Sequence, residues 1–239
     1  MHSCFKGILA FVFTIIISTS SLAEPYGHYD LKKILPVTET TSGKTYQFDV
    51  GYLDKVFLDI YKHSFKPLLP QFDSSEERNR ALRDTQVLMK MLNTYISTTP
   101  NPNYQMLGRT ALINHMAYSM GVSDARAIAE KQYEHMLSLK PNDPDTHFYY
   151  GILLLHTCQI DKTIEHLSAS VNAGNNGAAI LLATTYVIAG DNKKALNTLD
   201  IQLKNVPNNS NAKKLRDLIA SGKATEVVAA MQEKSCGKK

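Results

Sequence analysis

The 239-residue chain has no tryptophan and only three cysteines, Cys4, Cys158 and Cys236. So few cysteines exclude the densely cross-linked scaffolds of small secreted domains. Charge is neither abundant nor one-sided: charged residues make up 20% of the chain and the formal net charge is +4. The lysines are scattered or gathered at the end, at Lys234, Lys238 and Lys239. No basic face interleaved with aromatics marks a nucleic-acid binder. The apolar run Gly7–Ile17 falls short of the roughly 20 residues that a membrane-spanning helix needs. What is present is a 44% hydrophobic, ordinary globular composition, long enough for one domain or one domain plus an extension.

The first 23 residues have the layout of an export signal. Lys6 gives a positive start, Gly7–Ile17 an apolar stretch, and Ser21-Leu22-Ala23 the small residues that signal peptidase reads. Cleavage after Ala23 is expected, giving a periplasmic or secreted protein with no membrane span. An uncleaved anchor is the alternative. Cys4 precedes the apolar run, where no lipoprotein cleavage box uses it. In an exported protein Cys158 and Cys236 can pair. The other reading is a buried Cys158 at a helix end and a loose Cys236 in a Lys-rich tail.

Residues 24–45 read as an irregular arm, and Lys44–Phe48 alternates as at best one short strand. Asp49 can cap a helix carrying Tyr52, Val56, Ile60 and Tyr61, with Leu53 and Phe57 beside them; Pro67 and Pro70 end it. Ser74–Glu77 reads as a capping box. It opens a helix to about Ser97 whose apolar side holds Leu82, Val87, Leu88, Met91, Leu92 and Tyr95. Two more helices follow, one to about Gly121 and one from Ser123 or Asp124 that stops before Pro141.

From Asn142 to Pro207 a helix-turn-helix unit is written twice. Gly151 and Ala183 are small where two helices must approach closely, and Tyr186 and Leu199 fill the space around that contact. Gly190-Asp191-Asn192 makes a turn, and Asp143 caps a helix begun by Pro144. A less regular copy lies upstream: Ile113, Met116, Ala117 and Met120 are answered by Ala129, Tyr133, Met136 and Pro141. These series resemble tetratricopeptide repeats, with Sel1-like features in the stretch from Ala173 to Tyr186. The Gly151–Ala183 spacing is shorter than the family's period of about 34 residues, and Asn175 stands where the middle unit's proline would fall. The resemblance implies an all-α fold, a right-handed solenoid of about three helix pairs with extra N-terminal helices. A helix from Asn209 to Ser221 would cap it, and a short one through Val227, Val228 and Met231 would follow. The expected division is arm and first helix over 24–73, repeats over 74–234 and tail over 235–239.

Catalytic signatures are scarce. Ser42-Gly43-Lys44-Thr45 looks like the end of a phosphate-binding loop, but Thr38 occupies the position of the required first glycine. His147, His156 and His166, with His135 before them, lack the i, i+3 or i+4 spacing of metal pairs and read as structural. No Gly-x-Ser-x-Gly elbow occurs. No catalytic, metal or cofactor role is therefore assigned.

The resemblance also implies a concave groove lined by the first helix of each pair. In this register the lining is Asn114 and Tyr118, then Phe148, Ile152, Leu155 and His156, then Ile180, Thr184 and Val187. It is apolar, and only Asn114 belongs to the Lys, Arg and Asn set by which some members hold a peptide carboxylate. The expected function is therefore an interaction module of the cell envelope that binds a partner protein or peptide in this groove. Three other readings stand beside it: the chain's own arm fills the groove, an enzyme or small-ligand site lies between arm and solenoid using His156 and Tyr118, or the array ends self-associate.

Overall fold

A computed structural model describes residues 24–41, 43–65 and 70–224. The export signal, Cys236 and the helix expected through Val227 lie outside the described residues. The fold is mostly helical, and the all-α expectation holds apart from one hairpin. The described chain clusters into two compact units, 24–129 and 130–224, divided within one helix. The change of unit thus falls well after residue 73, and two helices beyond that point cluster with the arm.

In the first unit, a single 3-10 turn, Leu31–Ile34, leads into strands β1 (Val37–Thr40) and β2 (Gly43–Tyr46). They pair antiparallel with Val37 opposite Tyr46, so the arm holds a hairpin where one strand was expected. The signal for β1 was weak because its strand alternates threonine with Val37 and Glu39 rather than apolar with polar residues. Helix α1 (Val50–Ser64) is capped by the Asp49 carboxylate, which accepts from Tyr52 N. Its buried stripe is Leu53, Val56, Phe57 and Ile60, so the core face is centred one position away from the expected Tyr52–Tyr61 face.

Helix α2 (Ser75–Thr98) starts at the expected box: Ser74 Oγ accepts from Glu77 N. Glu77 Oε2 reaches one residue further back than expected and accepts from Asp73 N at 3.1 Å. The buried stripe is Glu77, Ala81, Thr85, Leu88 and Leu92, while Val87 is 45% exposed. At 3.6 residues per turn Val87 lies across the helix from Ala81 and Leu92, away from the buried stripe. Helix α3 (Tyr104–Ser119), capped by Asn103, packs on both α1 and α2. Arg109 holds Asp54 of α1 in a two-pronged ion pair at 2.7 and 2.8 Å.

Helix α4 (Ala125–Leu139) crosses from one unit to the other. The second unit continues with α5 (Pro144–His156), α6 (Ile160–Asn172), α7 (Ala178–Ile188), α8 (Asn192–Asn205) and α9 (Ser210–Ala220). From α5 onward each helix packs on the next, and α9 also reaches α7. Asp143, Asp191 and Asn209 cap α5, α8 and α9, each accepting from the backbone N–H three residues on. Helix α6 is narrowly amphipathic, burying Thr163, Leu167 and Ser170; α8 does the same with Ala195, Leu199 and Gln202.

Helices α5 and α7 bury all sides instead. Every residue from Phe148 to Leu155 and from Ala178 to Thr185 is buried. Eight consecutive residues at 100° steps cover the whole circumference of a helix. Gly151 is where α5 meets α6: a Cβ there would lie 2.9 Å from Leu167 Cγ and Cδ2. The packing thus requires glycine, although alanine would favour the isolated helix by roughly 0.5–1 kcal/mol. Ser170 Oγ donates to Pro144 O at 2.7 Å and ties the end of α6 to the start of α5.

Gly151→Val forces a branched side chain into Leu167 and is expected to lower unfolding free energy by about 1–3 kcal/mol. Urea denaturation followed by far-UV circular dichroism measures it. A midpoint equal to wild type would mean that the α5–α6 contact can open at no cost.

Candidate functional site

Polar side chains converge most densely in the first unit, around the arm Glu24–Asp30. Gly27 is small because a Cβ there would lie 2.7 Å from the Tyr29 hydroxyl. Tyr29 can therefore fold back and donate to Asp59 Oδ2 at 2.5 Å, and Gly27 N donates to the same oxygen at 2.9 Å. Tyr26, 1% exposed, donates its hydroxyl to Asp84 of α2 at 2.9 Å. Arg80 donates to the carbonyls of Tyr26 and Gly27 at 2.9 and 3.2 Å, with its guanidinium 5.8 Å from the centre of the Tyr26 ring. His63 of α1 stands edge-on to Tyr26 and stacks on Phe72.

The electrostatics follow from these contacts. Burial pushes both phenols up, and the carboxylates they face, Asp84 for Tyr26 and Asp59 for Tyr29, push them further. Burial also raises Asp59, but hydrogen bonds from His63, Tyr29 and Gly27 outweigh it and hold the carboxyl below its ordinary range. Burial alone would lower His63, yet its bonds to Asp59 and Glu24 lift it above the usual imidazole value. Both ring nitrogens of His63 face backbone carbonyl oxygens, at Asp59 and Glu24. That spends the imidazole on structure and leaves it neither lone pair nor spare N–H for general acid–base work.

The expected groove residues have definite places. Asn114 is fully buried and exchanges two amide hydrogen bonds with Asn93 of α2, at 3.1 and 2.9 Å, while also donating to Thr110 O. Tyr118 and His156 are half-buried. Phe148, Ile152 and Leu155 are 2–4% exposed, and Ile180 and Thr184 are buried too. Ile180 and Val187 belong to one apolar cluster with Leu199, Leu215 and Ile219. Thr184 Oγ1 donates to Ile180 O in its own helix. Phe148, Ile152, Leu155, Ile180 and Thr184 are thus buried within the second unit, and Asn114 and Tyr118 belong to the first.

The sequence reading missed the arm cluster and a second constellation. His147 and His166, kept apart by their spacing, meet across α5 and α6 with Nδ1 atoms 2.9 Å apart. His147 Nε2 lies 2.9 Å from Pro141 O and so carries the proton. In the neutral ring Nδ1 then accepts from His166. Tyr150 lies against His166, stacks on Tyr133 and donates to Glu134. Burial and the neighbouring His147 hold His166 below its ordinary value. Only the helix-pair register could have revealed this contact, since it brings the second turn of α5 beside the second turn of α6. Among the described residues, no three His, Cys, Asp or Glu side chains are grouped to hold a metal ion.

Cys158 also departs from its expected buried place. It is exposed, adopts a left-handed backbone with φ 59°, and is disulfide-bonded. It ends α5 in the position usually given to glycine, where Gln159 N donates back to Leu154 O at 2.9 Å. Cys236, its partner in the paired reading, lies outside the described residues.

Compared with models of protein families and with curated proteins, the chain matches none. No helix among the described residues is long and apolar enough to cross a membrane.

Asn114→Ala removes the partner of a half-buried Asn93 amide, and the expected cost is about 1–3 kcal/mol. A double-mutant cycle with Asn93→Ala should show the losses to be less than additive; strict additivity would dissolve the pair. For His166 the folded state binds its proton less readily than the unfolded chain. Stability is therefore expected to fall as pH drops below the ordinary imidazole value of 6.5. His166→Asn should flatten that limb in urea titrations between pH 7 and pH 5, and an unchanged limb would discount the pair.

Proposed function

We propose that this chain is an exported interaction module of the cell envelope, built on tetratricopeptide-like helix pairs and binding a partner protein or peptide. The observation that carries this reading is the run from α5 to α9. Each helix packs on the next, and a glycine sits at the closest approach, Gly151 against Leu167. Alternating α5 and α7, apolar on all sides, with the amphipathic α6 and α8 is what a stack of helix pairs needs. The disulfide at Cys158 suits an oxidising compartment beyond the inner membrane.

Binding at the proposed lining requires that Phe148, Ile152 and Leu155 become accessible. Replacing them by aspartate would unfold the helix pair, because a charge buried without a partner is strongly destabilising. Their half-buried neighbours are the better probes. A photo-reactive side chain at His156 or Tyr118 is expected to give discrete adducts with one envelope protein. The same group at Ile201, 49% exposed on α8, should not give them. Identical adduct patterns at all three positions would remove the groove from the proposal. N-terminal sequencing of the exported protein is expected to begin at Glu24, and a chain that retains Met1 would remove the processing.

A further inference from the structure

His63 Nδ1 lies 2.8 Å from Asp59 O, and His63 Nε2 lies 2.8 Å from Glu24 O. A carbonyl oxygen only accepts, and a neutral imidazole has a single N–H. Both bonds coexist only in the imidazolium, whose counter-charge is the Asp59 carboxylate, with Oδ1 3.3 Å from Nδ1. The side chain of His63 is 3% exposed, so water does not replace a bond that is lost.

We propose that residues 24–30 form a pH-gated strap, clamped on α1 and α2 by protonated His63 and loosened when that proton leaves. The strap covers a definite surface. Tyr26 lies over His63 and beside Arg80, Tyr29 caps Asp59, and Tyr52 Oη receives the strap's Asp30 N–H at 3.1 Å. Loosening it bares the His63 imidazole, stacked on Phe72, together with the Asp59 and Asp84 carboxylates and the Arg80 guanidinium that the strap engages.

The other charges around His63 set the direction of the response. From α1, Asp59 favours the cation, and Lys62 is engaged with Glu24 at 3.7 Å on the exposed side. From α2 come Arg80, whose charge is fixed, and Asp84, held by the Tyr26 hydroxyl. From the strap, Tyr26 and Tyr29 stay neutral because burial and their carboxylate partners raise them. His28, also on the strap, acts on Asp84, and cleavage after Ala23 would add an α-amino group with an ordinary value of about 7.7–8.0 at Glu24, so the His63 titration is read at its own ring nitrogens.

The sign follows from linkage. His63 is raised in the folded state, so its contribution is complete below the ordinary value of 6.5 and is lost as pH climbs through the raised one. Asp59 is lowered, so its share is complete above 3.8 and is lost as pH falls from there through the lowered value. The strap is tightest in mildly acidic solution and loosens toward the alkaline side. Expected cleavage after Ala23 would make Glu24 the first residue, so the clamp would grip the end of the exported chain, where fraying is easiest.

Nuclear magnetic resonance of the uniformly 15N-labelled protein tests this. At pH 5.5 both His63 ring nitrogens should be protonated, with a titration midpoint above 6.5. The protection factor of the Gly27 amide, corrected for intrinsic exchange, should fall by roughly tenfold or more across that midpoint, the loss of a hydrogen bond to a charged group. In His63→Gln, which keeps a donor without the charge, Gly27 protection should be low and independent of pH. A His63 midpoint at or below 6.5, or unchanged Gly27 protection across the titration, would overturn the proposal. The wild-type titration decides even where the variant fails to fold.

Discussion

Helix α5 has almost no face left for water, and the second unit is arranged to meet that condition. Its buried residues run without a break from Phe148 to Leu155. An isolated helix of this composition would expose apolar surface on every side, at roughly 25 cal/mol for each Å². Stability must therefore come from neighbours, and α6 comes closest because Gly151 lets Leu167 press onto the α5 backbone. The same need recurs at α7, which packs between α6 and α8 and also meets α9. The amphipathic helices supply one stripe each, and their polar sides carry the solubility that α5 and α7 cannot.

Most of this organisation was legible in the sequence, but through small residues and caps rather than periodicity. Gly151, Asp143-Pro144 and Gly190-Asp191 mark an approach and boundaries by their own stereochemistry, and the structure puts each to that use. Periodicity failed where helices are buried all round, because a helix with no polar face has no phase to read. The apolar positions of α5 and α7 were assigned to a groove by the repeat register, filled either by a partner or by the chain's own arm. A continuous apolar lining is also what full burial requires, and composition alone does not separate the two. In α2 the phase was readable but weakened by Val87, an apolar residue exposed on the side away from the core.

The polar cluster of the arm was hidden for a different reason. Asp59 and His63 are an i,i+4 pair on α1, and Arg80 and Asp84 share that spacing on α2, but no spacing rule joins the two pairs to each other or to Tyr26 and Tyr29. What could have flagged them is local: Pro25 and Gly27 flank Tyr26, in a stretch that read only as irregular. An arm rich in phenols but poor in aliphatic residues cannot bury itself by hydrophobic contact alone. It needs acceptors for its hydroxyls, and Asp59 and Asp84 supply them.

His63 and the pair His147–His166 show how the same residue type is read differently by its surroundings. At His63 two carbonyl oxygens and a carboxylate select the cation, and the ring works as a fixed double donor. At His166 the neighbour is another imidazole, which offers one lone pair to one proton, so a second proton on that axis would turn two N–H donors toward each other 2.9 Å apart and break the bond. Acid thus favours the first arrangement and opposes the second. The pH range in which both hold together is bounded below by His166 and above by His63, two residues that sit in separate units and answer to different partners.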